Sequence, residues 1–160
     1  MLSEFLQDAF FAAIAAIGFA AISNPPRRAY LYCAIIAAVG HSARFLMMQE
    51  SLLGLHIVIA STLAALIVGM LAVLLSPVAH TPAETCLFPS LLPMIPGIYA
   101  YKTFGGLVMC LYHGSEDAFD HYFYLFVSNG LTCLFILLGM VIGATIPIFL
   151  FKNISFQATR

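Results

Sequence analysis

The chain is expected to be an all-α integral membrane protein of about five transmembrane helices, the fourth broken at residues 93–97. Three observations carry that expectation. First, 62% of the 160 residues are hydrophobic and 8% are charged, whereas a soluble domain carries roughly 25% charged residues. Second, the apolar residues run in segments that reach the ~20 residues needed to cross a bilayer. Third, one of those segments contains Pro89, Pro93 and Pro96, followed by Gly97. A proline inside a helix removes a backbone donor and clashes with the preceding turn, so this segment cannot be one continuous helix. At membrane depth such a break survives only where protein or a water-filled cavity surrounds it. Interrupted spans are also where secondary transporters hold their substrates.

Taken in order, the spans cover residues 5–22, 29–48, 52–75, 86–112 and 122–151, within a single transmembrane domain of residues 1–160. The first ends at Ser23, Asn24, Pro25 and Pro26, followed by Arg27 and Arg28. His41 and Arg44 lie in the second, and His56 is the one titratable side chain of the third. A polar connection at residues 76–85, with Pro77, Pro82 and Glu84, leads to the broken fourth span. Residues 113–121 form an acidic loop with Glu116, Asp117 and Asp120 before the fifth. The N-terminus lacks the basic start and cleavage pattern of a signal peptide, so the first span is expected to stay in the mature protein.

Cation placement sets the expected orientation. With five spans, Arg27, Arg28, Lys152 and Arg160 fall on one side, while the loops of the other hold Glu4, Glu50, Glu116, Asp117 and Asp120. Lys and Arg mark the cytoplasmic face, which puts the N-terminus outside and the C-terminus inside. A net charge of −1 offers nothing to nucleic acid. Cys33, Cys86, Cys110 and Cys133 sit in apolar runs without a Cys-x-x-Cys pair. They read as buried structural thiols, with no metal site, disulfide framework or cofactor.

Small residues recur every four positions along several spans: Ala12, Ala16 and Ala20; Ser61, Ala65 and Gly69; Gly139 and Gly143. That spacing lets helix backbones approach closely in lipid, so it reads as internal packing in preference to a dimer seam. The aromatic cluster at residues 119–126 has the composition of an interfacial belt.

The ionisable groups inside the spans are the functional candidates, because such groups are costly in lipid and face the protein interior. Asp8 and Arg44 each lie about one turn inside the outer end of their spans, so an ion pair between them is expected, as a clamp or as part of a transport site. His41 precedes Arg44 by three residues and shares its helical face; it can relay protons or act as a packing histidine. Lys102 lies five residues beyond Gly97. If a half-helix restarts there, its amide end and Lys102 together form an anion site; alternatively Lys102 snorkels to the interface. Asn129 and Thr132 offer neutral hydrogen bonds to a ligand.

Three motifs also resemble a known family. Gly40-His41-Ser42-Ala43-Arg44, Asn24-Pro25-Pro26-Arg27-Arg28, and Pro93-Met94-Ile95-Pro96-Gly97 with Tyr101 are similar to the small subunit of two-component threonine/serine exporter-like proteins. The resemblance covers nearly the whole chain and includes the succinate or dicarboxylate exporter type. It implies that Gly40, His41, Arg44, Pro93, Pro96, Gly97, Tyr101 and Asn129 occupy motif positions. Lys102 has no counterpart in that pattern, and Pro25 beside Pro26 is a departure from it. The resemblance further implies a larger membrane partner with a cytoplasmic region, and a location in the bacterial inner membrane. Five spans are also few for a complete carrier, so a partner subunit or an antiparallel copy of the same chain is expected.

The resulting expectation is a subunit that exports small carboxylate-bearing metabolites by alternating access. The substrate-binding candidates are Pro93, Pro96, Gly97, Tyr101, Lys102, Arg44 and Asn129, and the proton-coupling candidates are His41 and Asp8. The alternative is a membrane scaffold that stabilises a partner forming the pathway. A membrane enzyme has least support, since no nucleophile–base pair, metal-ligand cluster or phosphate loop is visible.

Overall fold

The structure, a computed structural model, describes residues 2–112 and 115–155, and its described residues are helical throughout, with no strand. The helices are α1 (Leu2–Ser23), α2 (Ala29–Met48), α3 (Ile57–Ala79), α4 (Ala83–Leu91), a 3₁₀ turn (Leu92–Met94), α5 (Gly97–Tyr112), α6 (Glu116–Leu150) and α7 (Lys152–Ser155). Among the described residues, α1, α2, α3 and α6 are long and apolar enough to cross a membrane. Ala83–Met94 with Gly97–Tyr112 makes a fifth if it is one interrupted span. His113 and Arg160, used above for the loop and the cation count, lie outside the described residues.

Local chemistry sets the helix ends. Asn24 adopts the left-handed conformation (φ 46°), which asparagine tolerates better than most residues, and Pro25 and Pro26 then prevent α1 from continuing. After α2, the Gln49 carbonyl accepts from the amides of Leu52, Leu53 and Gly54, and Gly54 takes φ +56°. That turn uses up the apolar residues Leu52 and Leu53, so α3 begins only at Ile57. The His56 ring accepts from the Val58 amide at 3.4 Å, which makes His56 a helix cap. At the other end, α6 begins at Glu116 instead of near residue 122. Glu116 and Asp117 occupy its first turn, where acids complement the positive end of the helix dipole.

The chain divides into two compact units, one of residues up to Met94 with those from Gly139 onward, the other Ile95–Leu138. The core of the first unit is built from small side chains: Ala12, Ala16 and Ala20 of α1, Cys33 and Ala37 of α2, and Ala60, Ala64 and Ala72 of α3 are buried. Here α3 and α6 touch backbone to backbone. A Cβ on Gly69 would lie 2.5 Å from the Ala144 carbonyl oxygen, and one on Gly143 would overlap that of Thr62. Buried Ser90 of α4 has its hydroxyl 2.7 Å from the Cys86 carbonyl and 3.0 Å from that of Cys33, which ties α4 to α2. Cys33 and Cys86 are buried free thiols.

In the second unit, α5 packs on the first half of α6. A Cβ on Gly106 would lie 2.9 Å from the Phe126 amide nitrogen and 3.0 Å from the Tyr122 carbonyl oxygen. The rings of Phe119 and Phe123 stack on the same helix with centroids 5.7 Å apart.

Candidate functional site

The polar groups of the first unit converge where α1 begins and α2 ends. His41 and Arg44, three residues apart, project from the same face of α2, and Asp8 of α1 meets them. Gly40 makes the approach possible. A Cβ there would overlap the Val68 side chain and lie 3.7 Å from the Met94 sulfur. A larger residue at 40 would force the Val68 side chain of α3 to shift, whereas Met94 of the 3₁₀ turn would stay in ordinary contact.

The third component is main chain. A helix would bond the Leu92 carbonyl to the amide of residue 96, but Pro96 has none. The Gly97 amide, which would serve Pro93, donates instead to the Ile95 carbonyl at 2.8 Å. The carbonyls of Pro93 and Met94 are thus left outside the helical ladder and need donors. Arg44 supplies one: its Nη1 donates to the Met94 carbonyl at 2.9 Å. Its Nη2 donates to His41 Nε2 at 2.9 Å. His41 Nδ1 lies 2.6 Å from Asp8 Oδ2, and the Pro93 carbonyl oxygen lies 3.4 Å from His41 Nε2.

The array thus runs carboxylate, imidazole, guanidinium, carbonyl. The direct Asp8–Arg44 ion pair expected from their matched depths is corrected here: His41 stands between them. Among the described residues Arg44 makes no ion pair. A guanidinium has five N–H groups; two are engaged and three have no partner among the described residues. Beside the array is a cavity of about 270 Å³ lined by Asp8, His41, Arg44, Phe45, Met48 and Gln49.

Other candidates fall elsewhere. Lys102 and Asn129 share a cleft of about 510 Å³ in the second unit with Gly105, Gly106, Met109, Tyr122 and Leu125. Asn129 Nδ2 donates to the Leu125 carbonyl at 2.7 Å, which leaves its side-chain oxygen and second N–H for a ligand. Thr132 is half-buried and back-bonded to the Ser128 carbonyl at 2.8 Å, and Tyr101 is 79% exposed. Gly97 opens α5, but a Cβ there would meet nothing within 4 Å, so local packing does not require glycine. Sequence reasoning missed Gln49 and the two carbonyls. Gln49 carries no distinguishing pattern, and a carbonyl has none beyond the proline that frees it.

The family comparison adds to this geometry. Residues 8–150 match the sequence model of the family described as "Threonine/Serine exporter, ThrE". An uncharacterised protein of Haemophilus influenzae is 39% identical over 150 residues, covering 92% of this chain and 48% of that relative. The chain therefore spans about half the length of that curated relative. No solved structure matches. With the match running from Asp8 through the interrupted helix to the end of α6, the chain belongs to the threonine/serine exporter family.

Proposed function

We propose that this chain is the membrane subunit of a secondary transporter that exports small carboxylate-bearing metabolites by alternating access. The observation that carries the reading is the Asp8–His41–Arg44 array docked on the carbonyl of the interrupted helix, beside a cavity of metabolite size. The Arg44 guanidinium supplies the cation for a substrate carboxylate, using donors that no other described residue engages. Asp8 and the Pro93 carbonyl supply acceptors for an ammonium group. With His41 uncharged, one cation faces one acid, a charge set that complements a zwitterionic amino acid such as threonine or serine. His41 and Asp8 carry the coupled proton. Pro96 and Gly97 form the joint of the interrupted span, and the Lys102–Asn129 cleft is a second place for the same anion, with Tyr101 next to Lys102 on α5.

The proposed partner is a larger membrane subunit that adds a cytoplasmic region. The proposed setting is the bacterial inner membrane, with the N-terminus outside and the C-terminus inside. The test is counterflow of radiolabelled L-threonine, L-serine and succinate in liposomes holding the purified pair, with each subunit also tested alone. Transport by the pair only, lost in Arg44→Ala, supports the reading. Full-rate transport by the partner alone replaces it with a scaffold role.

A further inference from the structure

The hydrogen-bond geometry around His41 fixes where its proton sits. A guanidinium only donates, so Nε2, 2.9 Å from Arg44 Nη2, must accept and carries no hydrogen. The single hydrogen of the uncharged ring is then on Nδ1, donated to Asp8 Oδ2 at 2.6 Å. In this form the Pro93 carbonyl, 3.4 Å from Nε2, meets a lone pair and gains nothing.

A second proton reverses these relations. Nε2–H would face a donor in Arg44 and an acceptor in Pro93. We propose that His41 is a proton-operated selector for Arg44: uncharged, it holds Nη2 against α2, and protonated, it gives its new N–H to the Pro93 carbonyl and releases Nη2 into the cavity. Arg44 keeps its bond to Met94 throughout, so the guanidinium is redirected while staying anchored.

The surroundings leave His41 as the group that changes. Asp8 faces it from α1, with Glu4 one turn further out, and Arg44 faces it from its own helix. The 3₁₀ turn offers carbonyls alone. The titratable residues His56 and His80 lie just beyond the two ends of α3. On α4 they are Glu84 and Cys86, and Cys86 lies at the level of Cys33, about 12 Å along α2 from His41. From Gly139 to its end α6 has none. Protonation changes the charges around the cavity from one cation and one anion to two cations and one anion. A carboxylate therefore binds together with the proton, more tightly as pH falls through the titration of His41.

The use of this selector in transport rests on the exporter reading above. The selector itself does not, so it is tested without substrate. The full chain in detergent micelles, with His56, His80, His113 and His121 replaced by Gln and ¹⁵N in His and Arg, gives the His41 ring signals alone. At alkaline pH the expected spectrum shows a protonated Nδ1 and a bare Nε2. On acidification, the Arg44 side-chain signals, identified by their loss in Arg44→Lys, should shift with the same midpoint as the ring. His41→Gln should abolish that Arg44 shift; should His41→Gln not fold, the single-histidine chain decides alone. An uncharged ring protonated on Nε2, or Arg44 signals that stay fixed while His41 titrates, overturns the proposal. Loss of transport in liposomes with this titration intact would count against the exporter reading only.

Discussion

At the scale of single residues, His41 owes its position to two neighbours of opposite kind. Asp8 takes its N–H and Arg44 fills its lone pair. Replacing Asp8 by Leu leaves a part-buried N–H without a partner, a loss of about 1–3 kcal/mol. Asp8→Asn retains an acceptor of the same shape. Thermal unfolding in micelles should therefore show a clear drop for Asp8→Leu and a small one for Asp8→Asn. Arg44 bridges His41 and Met94 with a fork that lysine lacks. Counterflow should fall at least about tenfold in Arg44→Ala, the equivalent of one hydrogen bond to a charged group, with part of the rate restored in Arg44→Lys. If His41 selects for Arg44 as proposed, wild-type carboxylate affinity rises with acidity by up to about tenfold per pH unit, the slope of one linked proton. A flat profile measured by equilibrium binding would contradict the linkage. The residues of this array were visible in the sequence as ionisable groups in apolar runs. Their order was not: matched depth paired Asp8 with Arg44, and only side-chain geometry inserted His41.

At the scale of elements, the interrupted helix acts through what its backbone no longer bonds to itself. Pro96→Ala returns an N–H to the Leu92 carbonyl and favours one continuous helix over residues 92–97. Amides 97–99 should then exchange more slowly with deuterium than in wild type, and counterflow should fall, because the Met94 carbonyl is drawn back into the ladder and away from Arg44. The expected anion site of amide dipoles with Lys102 lies on the amide side of the break. Arg44 instead engages the carbonyl side, while Lys102 lines the cleft on α5 and α6. Proline positions locate a break in a helix. Which half supplies the working groups depends on which neighbouring helix brings a donor or an acceptor. The glycines divide in the same way. Gly69→Leu collides with backbone at Ala144 and should cost about 1–3 kcal/mol or more as overpacking, whereas Gly97→Ala meets open space and should be near neutral. Paired thermal unfolding of the two variants checks the contrast.

At the scale of the whole molecule, the described residues hold four helices long and apolar enough to cross a membrane, or five if Ala83–Met94 and Gly97–Tyr112 make one interrupted span, and the chain belongs to an exporter family whose matched relative is about twice as long. If the proposed division of labour holds, the chain alone is inactive in liposomes and the pair transports. A reporter fused after the C-terminus should be active on the cytoplasmic side, and activity on the outer side would reverse the orientation given by Arg27, Arg28 and Lys152.

By itself, the sequence determined an all-helical chain with four or five helices long and apolar enough to cross a membrane, and the place where one apolar run breaks. Those follow from hydropathy, length and proline chemistry, which act locally along the chain. Tertiary structure decided which polar groups share a site. It set Asp8, His41 and Arg44 beside the Pro93 and Met94 carbonyls, and Lys102 with Asn129 in the cleft of the second unit. The physical reason is that a charge in lipid takes whatever partner the packing of small residues brings within about 3 Å. That packing is fixed by contacts between helices far apart in sequence, such as Gly40 with Val68 and Gly69 with Ala144.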